Sequence, residues 1–104
     1  MVRLIVLYSQ PEDPAAFDAH YRDVHAPIVE RYPNLVSMRL TKADGVGGRP
    51  AAYYLMAEMI FDSYQDLTDA VASAPSAESA RDLRNFAQAG VTVFVAAEEA
   101  DAPA

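Results

Sequence analysis

The sequence predicts an α+β fold of the ferredoxin-like type, with four strands and two helices in the order βαββαβ. Two strongly apolar strands near residues 3–9 and 52–61, each followed by an amphipathic helical stretch, are the observations that predict it. A chain of 104 residues that is 52% hydrophobic has the size of one compact domain. We therefore expect one domain over residues 1–97 and a disordered acidic tail over residues 98–104.

The first strand is predicted over Arg3–Ser9, because its residues are apolar without alternation. A helix should follow, with Asp13 as its N-cap and Pro14 at its first position. Its apolar stripe repeats at helical spacing and consists of Phe17, Tyr21, Val24 and Ile28. Pro27 cannot continue a regular helix, so we expect a kink near His25.

The remaining elements follow from changes in periodicity. Residues 35–42 alternate as a half-exposed strand does, and the Gly-rich segment 44–50 reads as a hairpin connection to the apolar strand 52–61. Ser63 should cap a second helix that Pro75 interrupts and Ser76 restarts, with Gly90 as its left-handed C-terminal cap. Residues 91–97 form the last strand. The sheet is then antiparallel, with both helices on one face.

The two strongly apolar strands also predict the assembly. Two helices can cover only one face of a four-stranded sheet, yet these strands are apolar on both faces. A second copy of the chain is the most economical cover, so we expect a homodimer through the sheet face. Glu58, the one charged residue of the second apolar strand, should lie either at the sheet rim or in an ion pair with an arginine such as Arg39, across a strand or the dimer interface.

Composition excludes several classes of function. With 8 basic and 15 acidic residues, the chain carries a net charge of −7, which repels nucleic-acid phosphates and anionic membranes. The absence of cysteine excludes disulfides, thiolate nucleophiles and thiolate metal sites. No apolar run suits a signal peptide or a membrane span, so we expect a cytoplasmic protein.

The two histidines are the candidate acid or base groups. His20 and His25 are five residues apart, about 140° on a regular helix, which argues against a shared metal ion, and we expect no metal. His25 lies at the predicted kink beside Tyr21, where an imidazole could transfer protons near neutral pH. The alternative is structural: His25 would donate to a carbonyl that Pro27 leaves without a partner. For His20 we expect a surface or structural role.

Aromatic side chains supply the walls of a predicted apolar pocket. Tyr21 and His25 form its best polar pair, and the expected lining residues are Tyr8, Phe17, Tyr54, Phe61 and Phe86. The Gly45–Gly48 segment lacks the spacing of a phosphate-binding loop.

Two segments carry a resemblance to a known family. The string from Tyr8 to Phe17, followed by His20-Tyr-Arg-Asp-Val-His-Ala-Pro27, resembles the start of the EthD family of dimeric α+β barrel proteins. The runs 54–63 and 82–91 are also similar to that family, so the resemblance covers about residues 2–97. It implies a homodimer with sheets face to face, and a ligand cavity between sheet and helices. The helix histidine of the family maps onto His25.

The resemblance implies a range of activities, since similar barrels serve as cofactor-free cyclases, dehydratases, decarboxylases, isomerases and oxygenases. We therefore expect a small cofactor-independent enzyme acting on an apolar, cyclic or polyketide-like metabolite. In this interpretation His25 moves a proton and Tyr21 orients an oxygen. Two alternatives are a non-catalytic dimer that binds such a ligand for another enzyme, and a haem-binding half-barrel that uses His25.

Overall fold

Four antiparallel strands form one sheet in the order β2-β3-β1-β4 in the computed structural model, which describes residues 1–98. The strands are β1 (Val2–Ser9), β2 (Ser37–Lys42), β3 (Tyr53–Phe61) and β4 (Val91–Ala97). Strand β1 lies at the centre, paired with β3 on one side and with β4 on the other. The predicted ferredoxin-like α+β fold is confirmed. Residues 99–104 of the predicted tail lie outside the described residues.

The first helical region has three parts. Helix α1 (Pro14–His20) begins where the Asp13 side chain accepts the Ala16 N–H, the cap that the sequence predicts. A single π-helical turn (Tyr21–His25) follows, and helix α2 (Ala26–Val29) continues from it. The turn is closed by the Ala26 N–H, which donates to the Tyr21 carbonyl five residues back. The kink predicted near His25 is therefore a π-turn.

The second helical region has two helices. Helix α3 (Tyr64–Val71) is capped by Ser63, as predicted, and helix α4 (Ala74–Phe86) is capped by Ser73. The predicted break at Pro75 is wrong by a few residues, because proline is tolerated in a first helical turn and Pro75 lies in that of α4.

Gly90 also differs from its predicted role. Helix α4 ends at Phe86 with Ala87 as its C-cap, whereas Gly90 lies directly before β4. Its φ of 117° is in the left-handed region that favours glycine, and its carbonyl accepts the Ser9 N–H at 3.0 Å. Gly90 therefore fixes the entry into β4 rather than the end of the helix.

The core lies between the sheet and the helices. Its central members are fully or almost fully buried, among them Val2, Tyr8, Phe17, Ala57, Phe61 and Ala70. Directly opposed residues in an antiparallel pair share a face of the sheet, so Ile5, Glu58 and Phe94 lie together on the other face. There Glu58 pairs with Arg3 at 3.7 Å, while the predicted partner Arg39 lies opposite it in the β2–β3 register.

Strand β3 contains an irregularity that redirects one tyrosine. Tyr8 pairs with Leu55 and Ser9 with Tyr53, so Tyr54 is an extra residue in the ladder. Its ring packs edge-on against Phe17, and its hydroxyl donates to Asp18 at 2.9 Å.

None of the helices in residues 1–98 has the length and apolar composition needed to cross a bilayer.

Candidate active site

His25 occupies the end of the π-turn with its ring inside the protein. Its side chain is only 4% exposed. Nδ1 lies 3.0 Å from Oδ2 of Asp82, and Nε2 lies 3.3 Å from the hydroxyl of Tyr8. Both ring nitrogens therefore contact side chains, rather than the backbone carbonyl considered in the structural alternative.

Asp82 anchors this arrangement from helix α4. Its carboxylate is 6% exposed and contacts Nδ1 of His25. It also accepts a hydrogen bond from the Asn85 side-chain N–H at 3.0 Å and lies 2.9 Å from Nε2 of His20. Burial alone would raise the pKa of this carboxyl, but the hydrogen bonds from Asn85, His20 and His25 outweigh burial and lower it. Asp82 is therefore ionised at neutral pH and acts only as an acceptor.

An ionised Asp82 determines the proton positions on its neighbour. Because a carboxylate can only accept, Nδ1 of His25 carries the proton and donates it to Asp82. Burial lowers the pKa of His25 below its ordinary value of 6.5, against the opposing effect of Asp82, so the ring is neutral at pH 7. Nε2 is then a basic lone pair that accepts the Tyr8 O–H.

The two tyrosines nearest His25 keep their protons. Burial raises the pKa of the Tyr8 phenol far above its ordinary value of 10.0, and the neighbouring Tyr21 adds to the effect. Burial also raises the pKa of Tyr21. The Tyr21 ring lies 5.3 Å from that of His25, but the phenol that bonds the imidazole is Tyr8. The site thus places two phenolic donors beside one base.

A cavity of about 170 Å³ opens beside these groups. Its polar lining consists of His25, three tyrosines and two serines, and the other lining residues are apolar or small. The polar members are Tyr8, Tyr21, His25, Tyr32, Ser76 and Ser79, and the others are Leu4, Val6, Val29, Ala57, Met59, Val71, Ala80, Leu83 and Val93. A compact apolar space with a few converging polar groups is typical of small-molecule sites.

The remaining predicted lining residues lie elsewhere. Phe17 and Phe86 line a second, wider groove of about 630 Å³ on the outer side of α1 and α4. Phe61 is fully buried in the core, and Tyr54 bonds Asp18. None of these four is among the lining residues of the smaller cavity. Phe86 still supports the site, because its ring lies 4.7 Å from that of His25.

Sequence reasoning missed Asp82, and with it the partner of both histidines. The buried positions of α4 are Ser79, Asp82 and Phe86, a stripe at helical spacing that carries two polar residues. A carboxylate on the buried stripe of a helix is the signal that could have identified it, because buried carboxylates are paired.

Across the described residues, no group of three His, Cys, Asp or Glu side chains is arranged to hold a metal ion.

Comparison with known proteins identifies the family. The model of the EthD domain matches residues 9–90. The chain belongs to the EthD domain family. It is 37% identical, over 99% of its length and all of the relative's, to an uncharacterised 11.0 kDa protein encoded in the thcB–thcC intergenic region of Rhodococcus erythropolis. An EthD family protein of Bacillus halodurans has a crystal structure that matches with a TM-score of 0.87 and 38% identity, covering 94% of this chain and 98% of the other.

More distant structures share the fold. A hydroxynitrile lyase from Passiflora edulis matches at a TM-score of 0.72 and 16% identity, over 94% of both chains. SnoaB, a cofactor-independent oxygenase from Streptomyces nogalater, matches at 0.69 and 16% identity, over 94% of this chain and 92% of its own. At such identities the likeness shows a common fold, which carries many activities.

Proposed function

We propose that this EthD family protein is a small cofactor-independent enzyme in which His25 takes up and returns a proton of an apolar cyclic substrate. The observation that carries the proposal is the Asp82–His25–Tyr8 array, of which His25 and Tyr8 line the 170 Å³ cavity. A buried carboxylate that orients a neutral imidazole beside a ligand space is the arrangement of a general base.

Proton transfer would begin at Nε2 of His25. A substrate C–H or O–H bond breaks, its proton binds Nε2, and its electron pair stays on the substrate as an enolate or phenolate. The ring becomes an imidazolium, which the negative charge of Asp82 at 3.0 Å stabilises. The reverse transfer returns the proton to the same or another substrate atom, so no redox partner is needed.

The phenols would stabilise the developing oxyanion. The high pKa values of Tyr8 and Tyr21 keep both hydroxyls protonated, so they can donate hydrogen bonds to a substrate oxygen but do not compete as bases. In this proposal Tyr8 turns its O–H from Nε2 to the substrate, which frees the base. The long Tyr8–His25 contact of 3.3 Å favours such an exchange.

Cavity volume limits the size of the substrate. Sites for drug-sized ligands measure roughly 300–1,000 Å³, and an apolar cavity of about 150 Å³ accommodates benzene. At about 170 Å³, this cavity suits a single six-membered ring with one oxygen substituent. A multi-ring polyketide exceeds that volume, so we propose a monocyclic ketone, enone or phenol as substrate class.

The haem-binding alternative is less well supported by this site. Haem is much larger than this space, and the two His25 nitrogens already contact Tyr8 and Asp82.

We also propose that a second copy of the chain covers the open face of the sheet. Ile5, Leu7, Met56 and Phe94 share that face by strand alternation and register, and Phe94 is 44% exposed. Exposed apolar side chains on a sheet face, here around the Arg3–Glu58 ion pair, are typical of an interface between subunits. The homodimer that the sequence predicts would bury it.

The test measures proton exchange. We would incubate the protein in deuterated buffer with six-membered cyclic ketones and enones, and follow deuterium uptake beside the carbonyl by NMR. His25→Gln cannot titrate, so the exchange rate should fall by roughly two to four orders of magnitude while ligand affinity stays nearly unchanged. Arg22→Gln, at an exposed position of the same π-turn, is the matched control and should keep the parent rate.

Other outcomes identify the alternatives. Binding without exchange by the parent protein, weakened modestly in His25→Gln, indicates an accessory ligand-binding protein. A lower melting temperature in His25→Gln, with neither binding nor exchange by the parent, indicates that the Asp82–His25 pair is purely structural.

A further inference from the structure

We propose that His20 is a positioning residue that controls, through the shared Asp82 carboxylate, how strongly His25 holds a proton. This inference rests on the proposed function, in which His25 is the base. It gives a role to the second histidine, which the proton transfer itself does not use.

The geometry joins the two imidazoles through one acidic group. Nε2 of His20 lies 2.9 Å and 3.0 Å from the two oxygens of Asp82, while Nδ1 of His25 lies 3.0 Å from one of them. The His20 ring also stacks on Phe86 with centroids 4.9 Å apart, which fixes its orientation. Two histidines thus share one negative charge.

The two rings differ in their access to solvent. The His25 side chain is 4% exposed, whereas that of His20 is 25% exposed and lines the wide outer groove. Because Nε2 of His20 donates to the ionised Asp82, Nδ1 is the nitrogen that would take the second proton of an imidazolium. The His20 side chain is thus open to the groove, while His25 remains enclosed.

Charge at His20 changes the electrostatic balance at His25. When His20 is protonated, its positive charge pairs with Asp82 and opposes a second positive charge on His25, an effect that lowers the pKa of His25. When His20 is neutral, the full charge of Asp82 supports the imidazolium of His25. A proton arriving from the outer groove thus weakens the base inside the cavity.

The other groups near the pair do not provide this control. The titratable groups that face His25 besides Asp82 are Tyr8 and Tyr21, both protonated across neutral pH, and Tyr32 lies on the same cavity wall. Facing His20 across the outer groove are Glu12 and Asp13, together with the neutral amides of Asn85 and Gln88. Of these groups, His20 and Asn85 contact Asp82, and only the imidazole of His20 can carry a positive charge.

The experiment follows the ring nitrogens by NMR as pH is varied. The chain has two histidines, so their signals are assigned by comparing the parent with each single variant. His20→Gln removes the group that can carry a positive charge beside Asp82, and the midpoint of the His25 titration should move to higher pH. His20→Lys places a lasting positive charge there, and the midpoint should move to lower pH. Arg22→Gln, which removes an exposed charge without contacting Asp82, should leave it in place.

The opposite signs of the two shifts separate control by charge from a structural role. If His20 only packs against Phe86, both variants move the His25 midpoint in the same direction or not at all, and the proposal is overturned. The readout needs no substrate, so it stands even if the exchange assay finds no turnover. If turnover is found, the pH at which the exchange rate rises should shift with the midpoint in each variant.

Discussion

Asp82 is the residue on which the chemistry of the site depends. Its buried carboxylate fixes the tautomer of His25 and also accepts hydrogen bonds from the side chains of His20 and Asn85. The contact to His25 joins positions 57 residues apart in the chain. The sequence could identify His25, because a histidine beside Pro27 is a local pattern. The buried stripe of α4 could mark Asp82 as a paired carboxylate, but nothing local indicates that its partner is His25.

At this scale the pKa directions predict how stability depends on pH. Burial depresses the pKa of His25 in the folded protein below 6.5, so at acidic pH the unfolded chain binds a proton that the folded chain does not. The contribution of neutral His25 to the free energy of unfolding is therefore fully present above pH 6.5. It falls as the pH drops below 6.5, by at most about 1.4 kcal/mol per pH unit for one proton. Urea unfolding at a series of pH values measures this slope.

The matching variant isolates the contribution of the histidine. His25→Gln should have a shallower slope just below pH 6.5, because Gln takes up no proton in either state. At lower pH both proteins should lose stability, since the depressed pKa of Asp82 adds a second loss as the pH falls through it. Equal slopes for the two proteins near pH 6 would contradict the assignment of His25 as neutral in the fold.

At the scale of elements, the π-turn connects local sequence to the site. Regular α-helical geometry would bring the ring of Pro27 against the carbonyl four residues before it. The wider turn over Tyr21–His25 instead places Pro27 in the first turn of a new helix, where proline is tolerated. The proline signalled the kink, but its type depends on packing, with Tyr21 and His25 both buried.

Shortening the turn by one residue tests this account. Deletion of the exposed Asp23 should return the segment to α-helical spacing and make Pro27 an interior helix residue, at a cost of about 3 kcal/mol. Urea unfolding measures the loss. Adding Pro27→Ala to the deletion should recover most of it, and a double variant no more stable than the deletion alone would contradict the mechanism.

At the scale of the whole molecule, the sheet has one covered and one open face. The two apolar strands and the alternation over residues 35–42 were enough to predict an antiparallel sheet with helices on one face. It was not enough to predict that an extra residue at Tyr54 interrupts the register, because a bulge leaves no distinct pattern in an apolar strand. That irregularity also explains why Tyr54 lies against Asp18 and Phe17.

The open face yields a prediction about assembly. Phe94→Glu places a charge at a position that is 44% exposed in the single chain, so the subunit's own core should tolerate it. If two sheets pack against each other, the charge is buried and the dimer is lost or unfolds. Light scattering should give twice the 11.3 kDa chain mass for the parent and for Val46→Glu, a control in an exposed loop. A parent mass near 11.3 kDa at micromolar concentration would contradict the homodimer.

The three tyrosines around the cavity give the protein an optical signal of its own. The chain has six tyrosines and no tryptophan, and Tyr8, Tyr21 and Tyr32 line the space beside His25. Half of the tyrosines thus line the space that a bound ring would occupy. Unlabelled ligands can be titrated by tyrosine emission alone. Alkaline absorbance spectra should also report on these residues, because burial raises the pKa of Tyr8 and of Tyr21 above the ordinary value of 10.0.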